Sequence, residues 1–109
     1  MAHANIILDE PAIRGDTTRF IAHVRTFAGN LTDVVTGGFI VYDDLENVVA
    51  IITGADLIRD ALGQYHGAWQ VPAAQPNGRY IVEFFGQVSA DDPPDAFNRE
   101  RAYFLVQFA

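Results

Sequence analysis

Between Thr18 and Val24 the chain alternates, with Thr18, Phe20, Ala22 and Val24 on one side and Arg19, Ile21 and His23 on the other. A period of two places successive side chains on opposite faces of an extended strand, and a helix has no use for it. The same alternation returns in Gly38 to Tyr42, where Phe39 and Val41 share a face, and in Val48 to Thr53. It recurs in two glycine-led segments, Gly63 to Val71 and Gly78 to Phe84, and in Arg101 to Phe108, where Phe104, Val106 and Phe108 fall together. Turn-forming residues punctuate these runs: Ala28-Gly29-Asn30, the polar stretch Asp43 to Asn47, the proline-bearing Pro72 to Asn77, and Ser89 to Glu100.

This pattern predicts an all-β chain of six or seven short strands, a sandwich or a small barrel. Only Ala55 to Gly63 invites a helical turn, and Gly63 ends it so soon that the segment reads as a connection. The two glycine-led segments read as paired strands joined by the Pro72 to Pro76 loop. The domain is expected over residues 15–109, with residues 1–14 as an N-terminal arm or a first edge strand. A length of 109 residues suits one domain with one core, and a hydrophobic share of 50% is enough to fill it.

With no cysteine, the core must hold without disulfides and thiolate metal sites are excluded. The formal net charge of −7 opposes a nucleic-acid partner, because phosphate contacts need a basic surface. All seven basic residues are arginine, a bias that suits bidentate contacts and that base composition also produces. No apolar run is long enough to span a bilayer, and MAHANIILDEPAIRGD has neither a basic start nor a long apolar stretch, so no membrane association and synthesis in the cytoplasm are expected.

Candidate chemistry is sparse. His3, His23 and His66 lack a second histidine at ligand spacing, so no metal is assigned to them. Asp91, Asp92 and Asp95 could offer oxygen ligands, but prolines interrupt them and no regular alternation is present; Asp43, Asp44 and Glu46 serve equally well as turn residues. Ser89 is the only serine and stands in no nucleophile motif, and Glu83 and Glu100 read as strand-surface and loop charges. No catalytic residue, cofactor or metal is therefore assigned, and the chain is expected not to be an enzyme. Trp69 alternates with Tyr65 and Val71 and is expected in the core; an exposed sugar-binding platform is the alternative.

What remains unexplained is apolar surface. If Tyr80, Val82 and Phe84 point inward, Ile81 and Phe85 point out, and so do Tyr103 and Leu105 opposite Phe104 and Val106. A chain in water seldom leaves such a surface bare, so it is expected to pack on another subunit or beneath the Ser89 to Glu100 loop. Ile6, Ile7 and Leu8 could form an arm that adds a strand to a neighbour. The expected interface residues are Ile6, Ile7, Leu8, Ile81, Phe85, Tyr103 and Leu105.

At Asp60-Ala61-Leu62-Gly63-Gln64-Tyr65 the aspartate, glycine and tyrosine resemble the tyrosine corner of immunoglobulin-like domains, with Gly67 standing where antibody domains carry a cysteine. Together with Gly15-Asp16-Thr17-Thr18, His66, the Pro72 to Pro76 loop, Gly78-Arg79-Tyr80 and Phe104-Leu105-Val106, the chain resembles small immunoglobulin-like structural proteins of tailed bacteriophages over roughly residues 15–108. The resemblance implies an all-β, immunoglobulin-like β-sandwich of about seven antiparallel strands, and a non-enzymatic virion component at the capsid surface, head-tail neck or tail. Its partners would be other virion proteins, in a homo-oligomer or lattice, after synthesis in the host cytoplasm. A bacterial binding module for carbohydrate or a surface partner is the alternative.

Overall fold

The computed structural model describes residues 2–8, 12–91 and 97–107. Among these residues the chain forms ten strands: β1 (Ala2–Leu8), β2 (Ala12–Ile13), β3 (Thr17–Thr26), β4 (Thr36–Tyr42), β5 (Val48–Thr53), β6 (Ile58–Ala61), β7 (Gln64–Gln70), β8 (Gly78–Gln87), β9 (Phe97–Asn98) and β10 (Glu100–Gln107). One sheet has the order β6-β7-β3-β1-β9 and the other β2-β10-β8-β4-β5. Without the two-residue strands this is the D-E-B-A and G-F-C-C′ arrangement of an immunoglobulin-like sandwich. The expected fold class therefore holds. The strand count exceeds the expected seven because β6 is short and β2 and β9 are only two residues each, and β2 pairs parallel with β10 and β9 parallel with β1, not antiparallel.

The inward residues are those the alternation selects. Phe20, Ala22 and Val24 of β3, Phe39 and Val41 of β4, Val82 and Phe84 of β8, and Phe104 and Val106 of β10 are buried. The rings interlock across the sheets, with Phe39 edge-on to Phe84 at 5.1 Å and Phe20 to Phe104 at 5.4 Å between centroids. Such tilted contacts add to the area term because the positive edge of one ring meets the negative face of the next. Trp69 is core, as expected, packed between Tyr80 and Phe104.

Two strand readings are corrected. The glycine-led segments β7 and β8 are not paired with each other: β7 lies between β3 and β6, and β8 between β10 and β4. Pro72 and Pro76 supply no backbone donor, so the chain between them leaves one sheet and crosses to the other. The segment after η1, a 3-10 turn at Gly54–Asp56, is not merely a connection, because Ile58–Ala61 pairs with β7. All four residues of β6 are exposed, so it carries no alternation to read.

The N-terminal segment is a full strand of the sandwich. β1 pairs antiparallel with β3 from Ala2↔Thr26 to Leu8↔Phe20, and Ala2, Ala4 and Ala12 are buried in the core. Consecutive Ile6, Ile7 and Leu8 hide the alternation, and the alanines that complete it are too small to mark a face. The Ser89 to Glu100 segment likewise gives the core a residue: Phe97 is buried against Phe84, with centroids 5.8 Å apart.

The tyrosine corner exists, at a different tyrosine. Tyr80, at the start of β8, donates its hydroxyl proton to the Pro76 carbonyl at 2.7 Å, four residues upstream, and accepts from the Gln75 amide at 2.8 Å. This is the position the immunoglobulin pattern prescribes, and Val82, two residues on, stands where antibody domains place a cysteine. The Tyr65 hydroxyl instead accepts from the Val34 N–H at 3.0 Å, far away in sequence. Tyr80→Phe is expected to cost about 1–2 kcal/mol, because it leaves the Pro76 carbonyl and the Gln75 amide short of a partner. Urea unfolding followed through Trp69 fluorescence checks it, and an unchanged midpoint would contradict the role given to this corner.

Candidate interaction surface

The outer face of the β2-β10-β8-β4-β5 sheet is built from the residues that alternate with the core set. The register aligns Tyr103, Ile81 and Tyr42 in one row, Arg101, Glu83, Ile40 and Ile51 in the next, and Phe85, Gly38 and Thr53 in a third. Glu83 is the centre of this face. Only 5% exposed, it accepts from Arg101 Nε at 2.7 Å and from Arg99 Nη1 at 3.2 Å, and Tyr42 Oη donates to it at 3.4 Å. The strand-surface reading of Glu83 is thus corrected: it is outward-pointing and yet buried, because long arginine side chains fold over it.

Arg101 reaches further, to Glu46 Oε1 at 2.6 Å. The hydrogen bonds it donates to Glu46 and then to Glu83 raise its guanidinium above the ordinary arginine range. Burial, and then the nearby Glu83 carboxylate, push the Tyr42 hydroxyl up. Each arginine of the face also lies over a ring: Arg101 over Tyr42 at 5.1 Å, Arg79 over Tyr103 at 4.9 Å, and Arg99 over Phe85 at 5.3 Å. Arg79 pairs with Asp44 at 3.3 Å. Two carboxylates and two guanidiniums, Glu83, Glu46, Arg99 and Arg101, balance in charge, and both Glu83 oxygens are occupied by guanidinium donors.

This face sorts the expected interface residues. Tyr103 and Leu105 remain 55% and 46% exposed on it, Tyr103 with Arg79 across part of its ring. Ile81 is buried between the two tyrosines of its row, and Phe85 is half-buried beneath Arg99, so the Ser89 to Glu100 loop does supply part of the cover. Ile6 and Leu8 point inward and pack against the core, while Ile7 is exposed on the opposite sheet. The seven residues therefore do not form one surface. Val48 and Ile51 of β5, 54% and 60% exposed, extend the apolar surface beyond the residues the sequence reading named. The uncharged run Val48 to Thr53 was the available signal.

On the outer face of the other sheet, the register aligns Ile7, Ile21, His66 and Ile58. His66 Nδ1 lies 2.7 Å from Asp60 and 3.1 Å from Arg19 Nη2. His23 is opposite Asn5 and Gln64, and His3 stacks on Phe27. Among the described residues, no three His, Cys, Asp or Glu gather at metal-binding distances, and no helix is long and apolar enough to cross a membrane. Asp91 is exposed; Asp92 and Asp95, like Phe108, lie outside the described residues.

Asp33, in the loop between β3 and β4, ties that loop to β6 and β7. Its Oδ1 accepts from Arg59 Nε at 3.1 Å, from the Gly63 N–H at 2.8 Å and from the Tyr65 hydroxyl at 3.3 Å. The Arg59 hydrogen bond, and next the Gly63 N–H, hold the carboxyl below its ordinary value of 3.8. A depressed carboxyl adds stability above its unfolded pKa and loses it as pH falls through the folded value. The Asp33→Asn variant should therefore be less stable than the parent near neutral pH, with the gap narrowing below about pH 4. Urea midpoints of both proteins from pH 2.5 to about 7 check this; a gap that does not change with pH would contradict it.

No protein-family model matches the chain, and no curated protein matches it in sequence.

Proposed function

We propose that the chain is a non-enzymatic assembly module that binds other proteins through the outer face of its β2-β10-β8-β4-β5 sheet, and that it serves as a structural component of a tailed-phage particle. The observation that carries the binding half is the exposure of Tyr103 and Leu105 side by side with a saturated ionic cover. The charges of this face satisfy one another, so its remaining capacity for contact is apolar. Placement in a virion rests on the sequence resemblance alone. The carbohydrate-binding alternative loses its aromatic platform, since Trp69 is in the core.

The test is mass spectrometry of particles induced from the strain that encodes the chain, with parent and Tyr103→Asp/Leu105→Asp proteins expressed side by side. The parent is expected in the particles and the folded double variant is not. Absence of the parent from particles overturns the virion assignment. Equal incorporation of the double variant overturns the assignment of this face.

A further inference from the structure

β5 is an edge strand of unusual character. It pairs with β4 on one side, and among the described residues no strand pairs with its other side. Its six residues, Val48 to Thr53, include no charge and no proline, and the whole chain has no lysine. Charged side chains, prolines, short length and bulges are the usual devices that keep an exposed edge from pairing with another chain; β5 has neither charge nor proline, and its one irregularity is a register shift at Val49, between the pairs Val41↔Ala50 and Tyr42↔Val48, which leaves Ala50 to Thr53 regular. Its free backbone groups form a template for an added strand.

The two ends of this strand differ in shape. Before it, the turn between β4 and β5 carries Leu45, 82% exposed, on a tip otherwise made of polar residues. That tip is rigid: Asp43 Oδ1 accepts from the N–H groups of Leu45 and Asn47, both at 2.9 Å. After β5, an open cleft of about 430 Å3 has a mainly apolar lining that includes Val34, Val35, Leu57 and Phe85, with Thr36 and Thr53 at its edge. A protruding leucine stands at one end of the strand and an apolar hollow at the other. A two-fold axis through the middle of β5 exchanges the two ends, which is what an isologous contact requires.

We propose that a second copy of this chain docks antiparallel along β5, with Ile51 facing Ile51 of the copy and each Leu45 entering the other copy's cleft. Centring the axis on Ile51 sets Ala50 opposite Ile52 and brings Val48 of one copy beside Gly54 of the other. Residues directly opposite then share a face, so the inner residue Ile52 stays inward and the two outer faces continue side by side. The hairpin tip runs on past Val48, toward Leu57 of the other copy. Two of the three acids of the tip are already paired within the chain, Asp44 with Arg79 and Glu46 with Arg101, and Asp43 is turned to the N–H groups of its own turn. The overall charge of −7 opposes the contact, so added salt should tighten the dimer. This dimer does not depend on the virion assignment or on Tyr103 and Leu105.

Light scattering and sedimentation of the purified protein test the proposal. The parent is expected at twice the chain mass, while Leu45→Glu and Ile51→Lys, both at exposed positions, each weaken the dimer at least about tenfold. Circular dichroism and unfolding curves confirm that both variants fold. The chain lacks cysteine, so Ile51→Cys adds a single thiol that faces its copy across the axis and should give an oxidised, disulfide-linked dimer on a non-reducing gel. Tyr103→Cys, away from the axis, should not. A parent that stays monomeric at high salt, or a dimer indifferent to both Leu45→Glu and Ile51→Lys, overturns the proposal. Loss of particle incorporation in the Tyr103→Asp/Leu105→Asp protein with an intact dimer leaves the two assignments separately scored.

Discussion

Phe84→Ala is expected to destabilise the fold by about 3–5 kcal/mol, a large part of what a domain of this size holds in reserve. Phe84 is fully buried on β8 and its ring meets Phe39 at 5.1 Å, Phe97 at 5.8 Å and Tyr65 at 6.4 Å. These partners come from both sheets and from the Phe97 segment, so no single element can close over the space left behind. The cost therefore includes the cavity as well as the lost transfer of the ring from water. Phe84→Leu, which keeps most of the volume, should recover more than half of the loss. Thermal unfolding monitored by Trp69 fluorescence should show Phe84→Ala lower in Tm by at least about 10 °C. A drop of only a degree or two would mean that Phe84 is not a keystone of the sandwich.

Gly63→Ala is the second large effect, and backbone geometry alone causes it. Gly63 has φ of +67°, and a Cβ there would stand 2.8 Å from the Val24 carbonyl and 2.9 Å from the Thr32 N. Both neighbours are backbone, held by the Val24 N–H to Gly63 carbonyl bond at 2.7 Å and by the Thr32 N–H to Val24 carbonyl bond at 3.1 Å. Neither can give way without losing those bonds and the Asp33 carboxylate's bond to the Gly63 N–H. The left-handed conformation and the clash together should cost about 2–4 kcal/mol. Gly29→Ala is the control, since Gly29 also has positive φ, +90°, but a Cβ there meets nothing within 4 Å. It should cost only the conformational part, about 1–2 kcal/mol. Urea midpoints for the two variants separate the terms, and equal losses would show that the contact with Val24 and Thr32 is immaterial.

The rotation of the second sheet's outer face from surface to covered layer explains why candidate interface residues scattered. Ile81 and Phe85 alternate outward as the sequence pattern requires, yet Tyr42 and Tyr103 from neighbouring strands and Arg99 from the link between β9 and β10 lie over or beside them. Glu83 is the same case in polar form: a lone acid on an alternating strand reads as solvated, and only the approach of Arg99 and Arg101 buries it. Such cover depends on which strands are neighbours, and sequence alternation carries no information about neighbours. The Tyr65 and Tyr80 corners show the same limit. Each tyrosine follows a glycine, and the choice between them rests on which one begins strand β8 beside the Pro76 carbonyl.

By itself, the amino-acid sequence determined the all-β character, the inward sets on β3, β4, β8 and β10, the core position of Trp69, and the absence of any thiol chemistry. These follow from local rules, since a period of two and the placement of glycine and proline act over a few residues. Only the tertiary structure decided that β7 and β8 belong to opposite sheets, that Ala2–Leu8 is a strand of the sandwich, that Phe97 is core, and that β5 is the uncharged edge with a leucine at one end and a cleft at the other. Each of these is a pairing between residues far apart in the chain. Their free energy comes from contacts formed when the sheets close, and no residue carries a mark of its distant partner.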